Sequence, residues 1–419
     1  MRGFECARRN SRICGQAHGK RACEVKRCRD SHVQRKLWRA MRSALASLGF
    51  WAGSLGSTSV TAQRPLVWRL TPSARIAQDG PQGTHAFTRI LSVLPASDGS
   101  VVIADAANLE ISVFSRDGAF LRGIGRAGQG PGEFGRVSSV GLLNDTLWVN
   151  DARLQRATLF TLGGEILATI RREPGSSQVG RPTVLLTAGM AIGSPAADRR
   201  GLKRDVTPVI LMDRAGHVRD TLAWVPSKNS DPVMLARPEG GFTIGRQPFP
   251  DTGLAIVSWN ARRLFIVDRS VATTVSSAAF RIVALELNGD TLWNRRYAYM
   301  PRRLEEAPVD SFLRAAERVL TPNGHSRDDI RRAVFIPEYY SPVTSGFASA
   351  DGFLWLRREE GRATVDYWIV DQSGELAAML IVPANLMLMA AASSEVWGVQ
   401  KDEYDVPSVI RYDIIGRVE

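Results

Sequence analysis

The architecture follows from the apolar run Val101-Val102-Ile103-Ala104-Asp105, because a matching run, Leu147-Trp148-Val149-Asn150-Asp151, stands 46 residues later. The same order of features surrounds both runs: a Phe-x-Arg before them, a second apolar run after them, and then a glycine turn followed by two apolar residues. Phe87 and Phe134 begin the two copies and are 47 residues apart. A repeat of this length predicts one supersecondary unit that is stacked several times.

Each copy predicts four short β-strands. The runs are rich in Val, Ile, Leu and Phe and are separated by turn residues. Asp98-Gly99 and Asp117-Gly118 are dipeptides typical of tight hairpins. Weaker copies follow in pairs of runs at residues 184–194 and 206–224, 254–268 and 280–297, 347–356 and 365–382, and 386–399 and 409–412. Their turns fall at Ala215-Gly216, Asn288-Gly289 and Ser373-Gly374.

Four-stranded units that cannot bury both faces alone are typical of a β-propeller. The chain has five complete units and an incomplete last one. We expect residues 66–70 to supply the missing outer strand, since this would close the ring and remove an open sheet edge. The fold class is therefore all-β, a six-bladed β-propeller. Seven blades is the alternative, if residues 233–245 form a degenerate blade and not an insertion.

A family resemblance rests on the motif Gly128-Gln129-Gly130-Pro131-Gly132-Glu133-Phe134, which lies between the two clearest copies. It resembles an NHL repeat, and the chain is similar to six-bladed propellers of the NHL-repeat and TolB-like type, especially exported bacterial ones of unassigned role. The resemblance covers residues 85–170 well, and residues 397–412 resemble the end of such propellers. It implies the fold and export, but it selects no activity, because this fold hosts both enzymes and binding modules.

One segment, near residues 301–336, interrupts the strand pattern. Residues 309–319 have apolar side chains at helical spacing. Ser326-Arg327-Asp328-Asp329 resembles a capping box that opens a second short helix over residues 330–335. In propellers of the resembled type, blade connections lie on the face that carries the loops after the second strands. This short helical insertion is therefore either a lid beside the channel mouth or a cover for a blade edge.

The charge is concentrated in the first 62 residues. The chain has a net charge of +12 and a pI near 10.0, but residues 1–62 hold 13 basic and three acidic residues, a net of +10. The remaining 357 residues carry only +2. A hydrophobic fraction of 44% with 23% charged residues excludes a disordered chain and a polytopic membrane protein. Because the remaining 357 residues are nearly neutral, we expect no nucleic-acid partner.

Residues 1–62 have the organisation of a basic leader with a signal peptide. Arg39 and Arg42 precede the apolar run 44–52, and Val60 and Ala62 stand at −3 and −1 of a cleavage site. Met41 is a candidate for the true start, which would make residues 1–40 a mis-assigned extension. The four cysteines, at positions 6, 14, 23 and 28, match no familiar zinc-finger spacing. We predict a periplasmic or secreted, monomeric propeller over residues 63–419, with no stable membrane span once the signal is removed.

The candidate ligand-binding residues lie in the loops after second strands. Asp105 and Asn108 in the first copy match Asp151 and Arg153 in the second. They would offer polar groups or hold Ca²⁺, although Asp and Asn also cap tight loops through the backbone. In the fifth unit, Arg357 is a further candidate. With Arg358, Glu359 and Glu360 it otherwise makes a solvated charge cluster.

No catalytic residue or metal ligand is assigned from the sequence. Gly123-x-Gly125-x-x-Gly128 matches the dinucleotide fingerprint as a string, but Gly130-Pro131-Gly132 follows it in place of a helix. His85, His217 and His325 are not expected to converge. The cofactor is unknown, and Ca²⁺ is possible but not indicated. We predict a binding or scaffold protein that engages a small molecule or a protein through its loop face. The alternative is a channel-centred enzyme, such as a lactonase-like hydrolase or a quinone-dependent sugar dehydrogenase.

Overall fold

The computed structural model describes residues 65–76, 87–171, 181–185, 191–194, 206–213, 218–226, 233–236, 242–245, 247–249, 253–257, 263–269, 278–321, 324–358, 363–392 and 394–418. The predicted leader, the four cysteines, His85, His217, the turn Ala215-Gly216 and the pair Glu359-Glu360 lie outside these residues. Within the described part of the chain, neither helix is long and apolar enough to cross a membrane.

Strands dominate the structure. In chain order they are β1 (Leu66–Ile76), β2 (Ile90–Pro95), β3 (Val101–Asp105), β4 (Glu110–Phe114), β5 (Phe120–Ile124), β6 (Arg126–Ala127), β7 (Glu133–Phe134), β8 (Val137–Leu143), β9 (Thr146–Asp151), β10 (Arg156–Thr161), β11 (Ile166–Arg171), β12 (Arg181–Leu185), β13 (Ala191–Ser194), β14 (Val206–Met212), β15 (Val218–Pro226), β16 (Val233–Ala236), β17 (Phe242–Gly245), β18 (Leu254–Val257), β19 (Arg263–Asp268), β20 (Ala279–Glu286), β21 (Thr291–Ala298), β22 (Ser345–Ala348), β23 (Leu354–Arg358), β24 (Thr364–Val370), β25 (Leu376–Pro383), β26 (Leu386–Ala392), β27 (Glu395–Lys401) and β28 (Pro407–Val418).

These strands form six four-stranded antiparallel blades, and the chain is a β-propeller. Blades 1 to 5 are β2–β5, β8–β11, β12–β15, β18–β21 and β22–β25, and blade 6 is β26–β28 with β1. The first strands of the blades lie side by side: β26 contacts β2, β2 contacts β8, β8 contacts β12, β18 contacts β22 and β22 contacts β26. The first strands therefore line the inner ring, as in a propeller.

Blade 6 is completed by the N-terminal part of the described chain. Strand β1 pairs antiparallel with β28 from Val67 to Ile76. It also pairs in parallel with β25 through Leu66, Val67 and Trp68. A strand that is far away in sequence thus covers the edge that β28 would otherwise expose.

The structure decides between six and seven blades at residues 233–245. Here β16 and β17 form a separate two-stranded hairpin and not a blade. Leu235 of the hairpin packs in one apolar cluster with Val309, Leu313 and Ile330 of the helical insertion. The hairpin is therefore an insertion, and its Leu235 is buried against the helices.

Burial explains why the repeated apolar runs are so regular. Strand β3 is buried at all five positions, whereas the outer strand β5 is mostly exposed. Side chains of blades 1 and 2 share one core cluster, to which Ile111, Phe134, Leu147 and Phe160 belong. A middle strand that is covered on both faces by neighbouring blades has to be apolar throughout, and not only at alternate positions.

The motif of residues 128–134 forms a closed turn between blades 1 and 2. The Glu133 carboxylate accepts the backbone N–H groups of Gln129 and Gly130 at 3.0 and 2.8 Å, and it pairs with Arg126 at 2.9 Å. Gly125 has φ +78°, and a Cβ there would lie 2.1 Å from the ring of Phe134. The glycines therefore serve the turn, and strands β7 and β8 follow them in place of a helix.

The insertion between blades 4 and 5 contains helices α1 (Glu306–Leu320) and α2 (Arg327–Ala333). The capping box predicted at Ser326 and Asp329 is present. The helix was expected over residues 330–335, and that boundary is wrong by three residues. Ser326 is the N-cap, so the helix starts at the next residue and includes the rest of the capping box.

Candidate functional site

The residues predicted for ligand binding in blades 1 and 2 hold their own loops in place. Asp151 is buried, and its carboxylate accepts the backbone N–H groups of Gly135, Arg136, Arg153 and Leu154 at 2.6–3.2 Å. These groups come from the connection before the blade and from the loop after its second strand. The carboxylate thus ties together two segments of the loop face.

Asp105 has the matching role in blade 1. It accepts the N–H groups of Thr88 and Ala107 at 2.6 and 2.8 Å. The Asn108 side-chain amide donates to Asp105 at 3.4 Å. Asn108, through its side chain, and Arg153, through its backbone N–H, thus donate hydrogen bonds to the aspartates of their own loops. A ligand role for these four residues stays a prediction.

The structure places the fifth candidate, Arg357, at a cavity on the loop face, which we call the arginine cavity. Its volume is about 650 Å³. The lining residues come from the loop ends of blades 4 and 5, from the connection between blades 5 and 6, and from the inserted segments. They are Pro248, Phe249, Arg269, Arg302, Leu304, Pro308, Pro337, Tyr340, Ser341, Thr344, Arg357, Val365 and Ala384. Three are arginines and none of these described residues is acidic.

Arg269 and Arg357 come from neighbouring blades, and both donate hydrogen bonds to Thr344. Arg269 follows the second strand of blade 4, is buried, and donates to the carbonyl oxygens of Val343 at 2.9 Å and Thr344 at 3.4 Å. Arg357, near the end of the second strand of blade 5, donates to Thr344 Oγ1 at 3.5 Å and to the carbonyl of Ala384 at 3.3 Å. These contacts link both side chains to the segment of residues 343–344, of which Thr344 lines the cavity.

The third arginine, Arg302, lies where the chain enters the insertion. We call the paired entry and exit segments, residues 302–304 and 338–340, the stalk. The chain enters and leaves the insertion side by side, because Tyr340 N–H donates to the Arg302 carbonyl at 2.9 Å and Leu304 N–H to the Glu338 carbonyl at 2.8 Å. Arg302 Cζ lies 4.2 Å from the centre of the Tyr340 ring, a cation–π contact. The stalk therefore presents a charged and an aromatic side chain to the same cavity.

The inserted segments form what we call the cap: hairpin β16–β17, residues 247–249 and residues 301–341. Phe335 N–H donates to Gln247 Oε1 at 2.8 Å, and the rings of Phe249 and Phe312 lie edge to face, 6.4 Å apart. Two insertions that are distant in sequence thus pack together, and Phe249 of the first and Leu304 of the second line the arginine cavity.

Next to the cavity, Arg358 corrects the prediction of a solvated charge cluster. It is only 5% exposed and pairs with buried Asp366 at 3.2 Å. Its Nε donates to the Pro342 carbonyl at 3.1 Å, and its guanidinium lies 4.1 Å from the centre of the Trp368 ring. The prediction was wrong for Arg358, because the strand β23 continues through it and turns its side chain into the blade.

Below Arg357, Tyr367 is its cross-strand neighbour in β24. The Tyr367 hydroxyl accepts the N–H of Leu388 in blade 6 at 3.0 Å. Burial raises the pKa of Tyr367, and the Arg357 guanidinium acts against that increase. The hydroxyl thus remains neutral at physiological pH and links blades 5 and 6.

A second cavity of about 370 Å³ lies on the cap itself. Its charged lining residues have both signs, Arg303, Arg327 and Arg331 with Glu305, Glu306, Asp310 and Glu338. The arginine cavity differs from it by presenting positive side chains alone among the lining residues that the structure describes. Among all residues that the structure describes, no group of three or more His, Cys, Asp or Glu side chains could hold a metal ion.

Sequence reasoning missed Arg269 and Arg302. Arg269 directly follows a second strand, as Arg153 lies after one in blade 2, so the blade pattern could have pointed to it. Arg302 carried no such signal, because it precedes a helical insertion whose folding back onto blades 4 and 5 depends on tertiary contacts.

Comparison with known proteins agrees with this architecture. The family model DUF5128, described as a 6-bladed beta-propeller, matches residues 86–174. This segment contains the two clearest repeats and blades 1 and 2. None of the curated proteins shows significant similarity to the chain.

Three solved structures illustrate the range of proteins to which the chain is similar. A member of the DUF4221 family from Bacteroides vulgatus is 8% identical, with 83% of this chain and 99% of that chain covered and a TM-score of 0.47. The calcium-binding protein regucalcin from Agrobacterium tumefaciens is 11% identical, with coverages of 85% and 98% and a TM-score of 0.40. The PQQ-bound aldose sugar dehydrogenase from Streptomyces coelicolor is 11% identical, with coverages of 84% and 99% and a TM-score of 0.39.

Proposed function

We propose that this chain is an exported β-propeller that binds a small-molecule ligand in the arginine cavity on its loop face. The observation that carries the proposal is the convergence of three sources on one cavity: Arg269 from blade 4, Arg357 from blade 5 and Arg302 from the cap. Its volume of about 650 Å³ lies in the usual range for small-molecule sites, roughly 300–1,000 Å³.

The composition of the cavity supports a binding site. Phe249, Leu304 and Val365 give it apolar walls, and Ser341 and Thr344, whose hydroxyl groups donate to backbone carbonyl oxygens, add polar atoms to the lining. A mostly apolar lining with a few convergent polar groups is what small-molecule sites share. Export is supported by the signal-peptide pattern of residues 41–62.

A thermal-shift screen tests the proposal without assuming the ligand's chemistry. The purified full-length chain is mixed with Ca²⁺ and other metals, neutral sugars, lactones and small organic acids. Ala384→Phe would fill the cavity, and Ala107→Phe, in the matching loop face of blade 1, is the control. We expect at least one compound to raise the Tm of the wild type and of the control variant, but not that of Ala384→Phe.

The outcomes separate this proposal from its alternatives. A compound whose effect survives Ala384→Phe binds elsewhere and would overturn the assignment of the site. No shift with any compound would point to a protein partner at the loop face. A lactone or sugar that both wild type and Ala384→Phe convert to product would favour the channel-centred enzyme.

A further inference from the structure

We infer that the ligand of the arginine cavity carries a planar aromatic ring, which packs against Phe249 and Tyr340. This inference rests on the proposed function, since it names the ligand class of the same site. Three observations lead to it: the polar lining groups already make contacts within the protein, the apolar lining is rich in ring side chains, and the fold holds the aromatic rings in place.

The polar side chains of the lining are engaged within the protein. The hydroxyl groups of Ser341 and Thr344 donate to backbone carbonyl oxygens at 3.0 and 3.2 Å. Arg269 and Arg357 also donate to backbone carbonyl oxygens, and both make further interactions in the protein, as does Arg302. A ligand that bound through these groups would compete with contacts of the fold. Burial of the apolar lining meets no such competition and therefore favours an apolar ligand.

Ring side chains make up most of the apolar lining. They are Pro248, Phe249, Pro308, Pro337 and Tyr340, and three aliphatic residues complete it. Aromatic rings attract other rings in offset-stacked or edge-to-face arrangements, in addition to the effect of the apolar area that they bury. The volume of about 650 Å³ is several times the roughly 150 Å³ in which benzene binds, so the cavity has room for a fused ring system.

The fold holds the two aromatic rings in place. Phe249 packs edge to face against Phe312, with the ring centres 6.4 Å apart. Tyr340 donates its backbone N–H to the Arg302 carbonyl at 2.9 Å, and its ring centre lies 4.2 Å from Arg302 Cζ. Walls that are already ordered lose little conformational entropy when a ligand binds, and a rigid ring loses less than a flexible chain of equal apolar area. The ligand should therefore be a planar ring and not an alkyl chain.

Three matched probes test the inference by calorimetric titration of the full-length chain at neutral pH. The probes are 2-naphthol, which is planar and aromatic, decahydro-2-naphthol, which is its saturated and non-planar counterpart, and 1-decanol, which is a flexible chain. All of them share the same number of carbon atoms and one hydroxyl group. We expect 2-naphthol to bind, and each of the other two to bind about tenfold more weakly.

Two leucine variants locate the ring. Phe249→Leu and Tyr340→Leu each keep an apolar side chain and remove one aromatic ring. Each should weaken binding of 2-naphthol by about fivefold and leave that of decahydro-2-naphthol nearly unchanged, whereas a general loosening of the cavity would weaken both. Tyr404→Leu is the control and should bind like wild type, because Tyr404 lies in the loop after the second strand of blade 6 and is 78% exposed.

Folding of each variant is measured by circular dichroism melting curves. Phe249→Leu removes the ring contact with Phe312 and could loosen the cap. Tyr340→Leu leaves that contact intact, so it keeps the test valid if the first variant is destabilised.

The failures are distinguishable. Equal binding of 2-naphthol and decahydro-2-naphthol, or unchanged 2-naphthol affinity in both leucine variants, would overturn the aromatic assignment, as would 2-naphthol binding that survives Ala384→Phe. If 2-naphthol does not bind but a non-aromatic compound raises the Tm of wild type and not that of Ala384→Phe, the binding function stands and the ring is rejected. If no probe binds and no compound shifts the Tm, both are rejected.

Discussion

Arg269 and Arg357 belong to neighbouring blades and donate to the same residue, Thr344, one to its carbonyl oxygen at 3.4 Å and the other to its hydroxyl oxygen at 3.5 Å. Thr344 directly precedes β22, the first strand of blade 5. Both guanidinium groups are therefore held next to the start of an inner-ring strand. Thr344, which no sequence pattern singled out, thus contacts two arginines that come from different blades.

Thr344→Val should disturb Arg357 more than Arg269, because it removes the hydroxyl and keeps the carbonyl. The hydroxyl also donates to the Arg357 carbonyl oxygen at 3.2 Å, so the variant loses two hydrogen bonds. We expect a loss of about 1–3 kcal/mol in the free energy of unfolding, measured by urea denaturation. Thr344→Ser keeps the hydroxyl and should behave like wild type; equal effects of both variants would contradict this role.

Asp151→Asn should destabilise the fold. The buried carboxylate accepts N–H groups from two loop segments, and the amide replaces one acceptor oxygen with a donor. We expect a loss of about 2–3 kcal/mol in unfolding free energy by urea denaturation. Asp117→Asn, at a 90% exposed side chain, is the control. A variant with wild-type stability that fails to bind the ligand would instead favour the ligand role predicted from sequence.

Gly125→Ala should also be costly. The backbone has φ +78°, and the new methyl group would meet the buried ring of Phe134 at 2.1 Å. Left-handed backbone costs a non-glycine residue about 1–2 kcal/mol, and overpacking adds about 1–3 kcal/mol. Thermal unfolding should show a clear loss of Tm. Gly99→Ala is the control, because φ is +83° there and a Cβ would meet nothing within 4 Å. This variant should show only the backbone cost. An equal loss of Tm at both sites would contradict the predicted clash with Phe134.

Asp366→Asn should leave Arg358 buried beside Trp368 without its carboxylate. Removing one partner of a buried ion pair typically costs about 3–5 kcal/mol, and urea denaturation would measure the loss. Replacing both residues, as Arg358→Met with Asp366→Leu, should restore part of the stability, since apolar side chains need no compensation there. A double variant less stable than Asp366→Asn would contradict this explanation.

Glu133 makes the turn of residues 128–134 sensitive to pH. The Gly130 N–H and then Arg126 lower the pKa of its carboxyl group below the ordinary value. Its contribution to stability is therefore present above the ordinary pKa and is lost as the pH falls through the lowered value in the folded state. An NMR titration should place the Glu133 pKa below that of an unfolded peptide, and Arg126→Gln should raise it. An unchanged pKa in that variant would show that Arg126 contributes nothing.

The repeats made the blades predictable because each blade is a local unit. Four strands joined by short turns follow each other in sequence, and middle strands such as β3 and β9 are apolar throughout because neighbouring blades cover both faces. The outcome at residues 233–245 could not be predicted in this way. Two short strands form a blade or an insertion according to what covers them, and here the partner is a pair of helices about 70 residues further along the chain.

The sequence by itself determined the all-β repeat, the turn chemistry and the positions of the loops, since these depend on residues near each other in the chain. Only the tertiary structure decided which loops line a common cavity. Asp105 and Asp151 are ligand candidates by their position in the sequence, and the structure adds that their carboxylates accept loop N–H groups. Arg269, Arg302 and Arg357 form a cavity because β-strand geometry, the cap stalk and Thr344 bring together side chains that the chain separates by up to 88 residues.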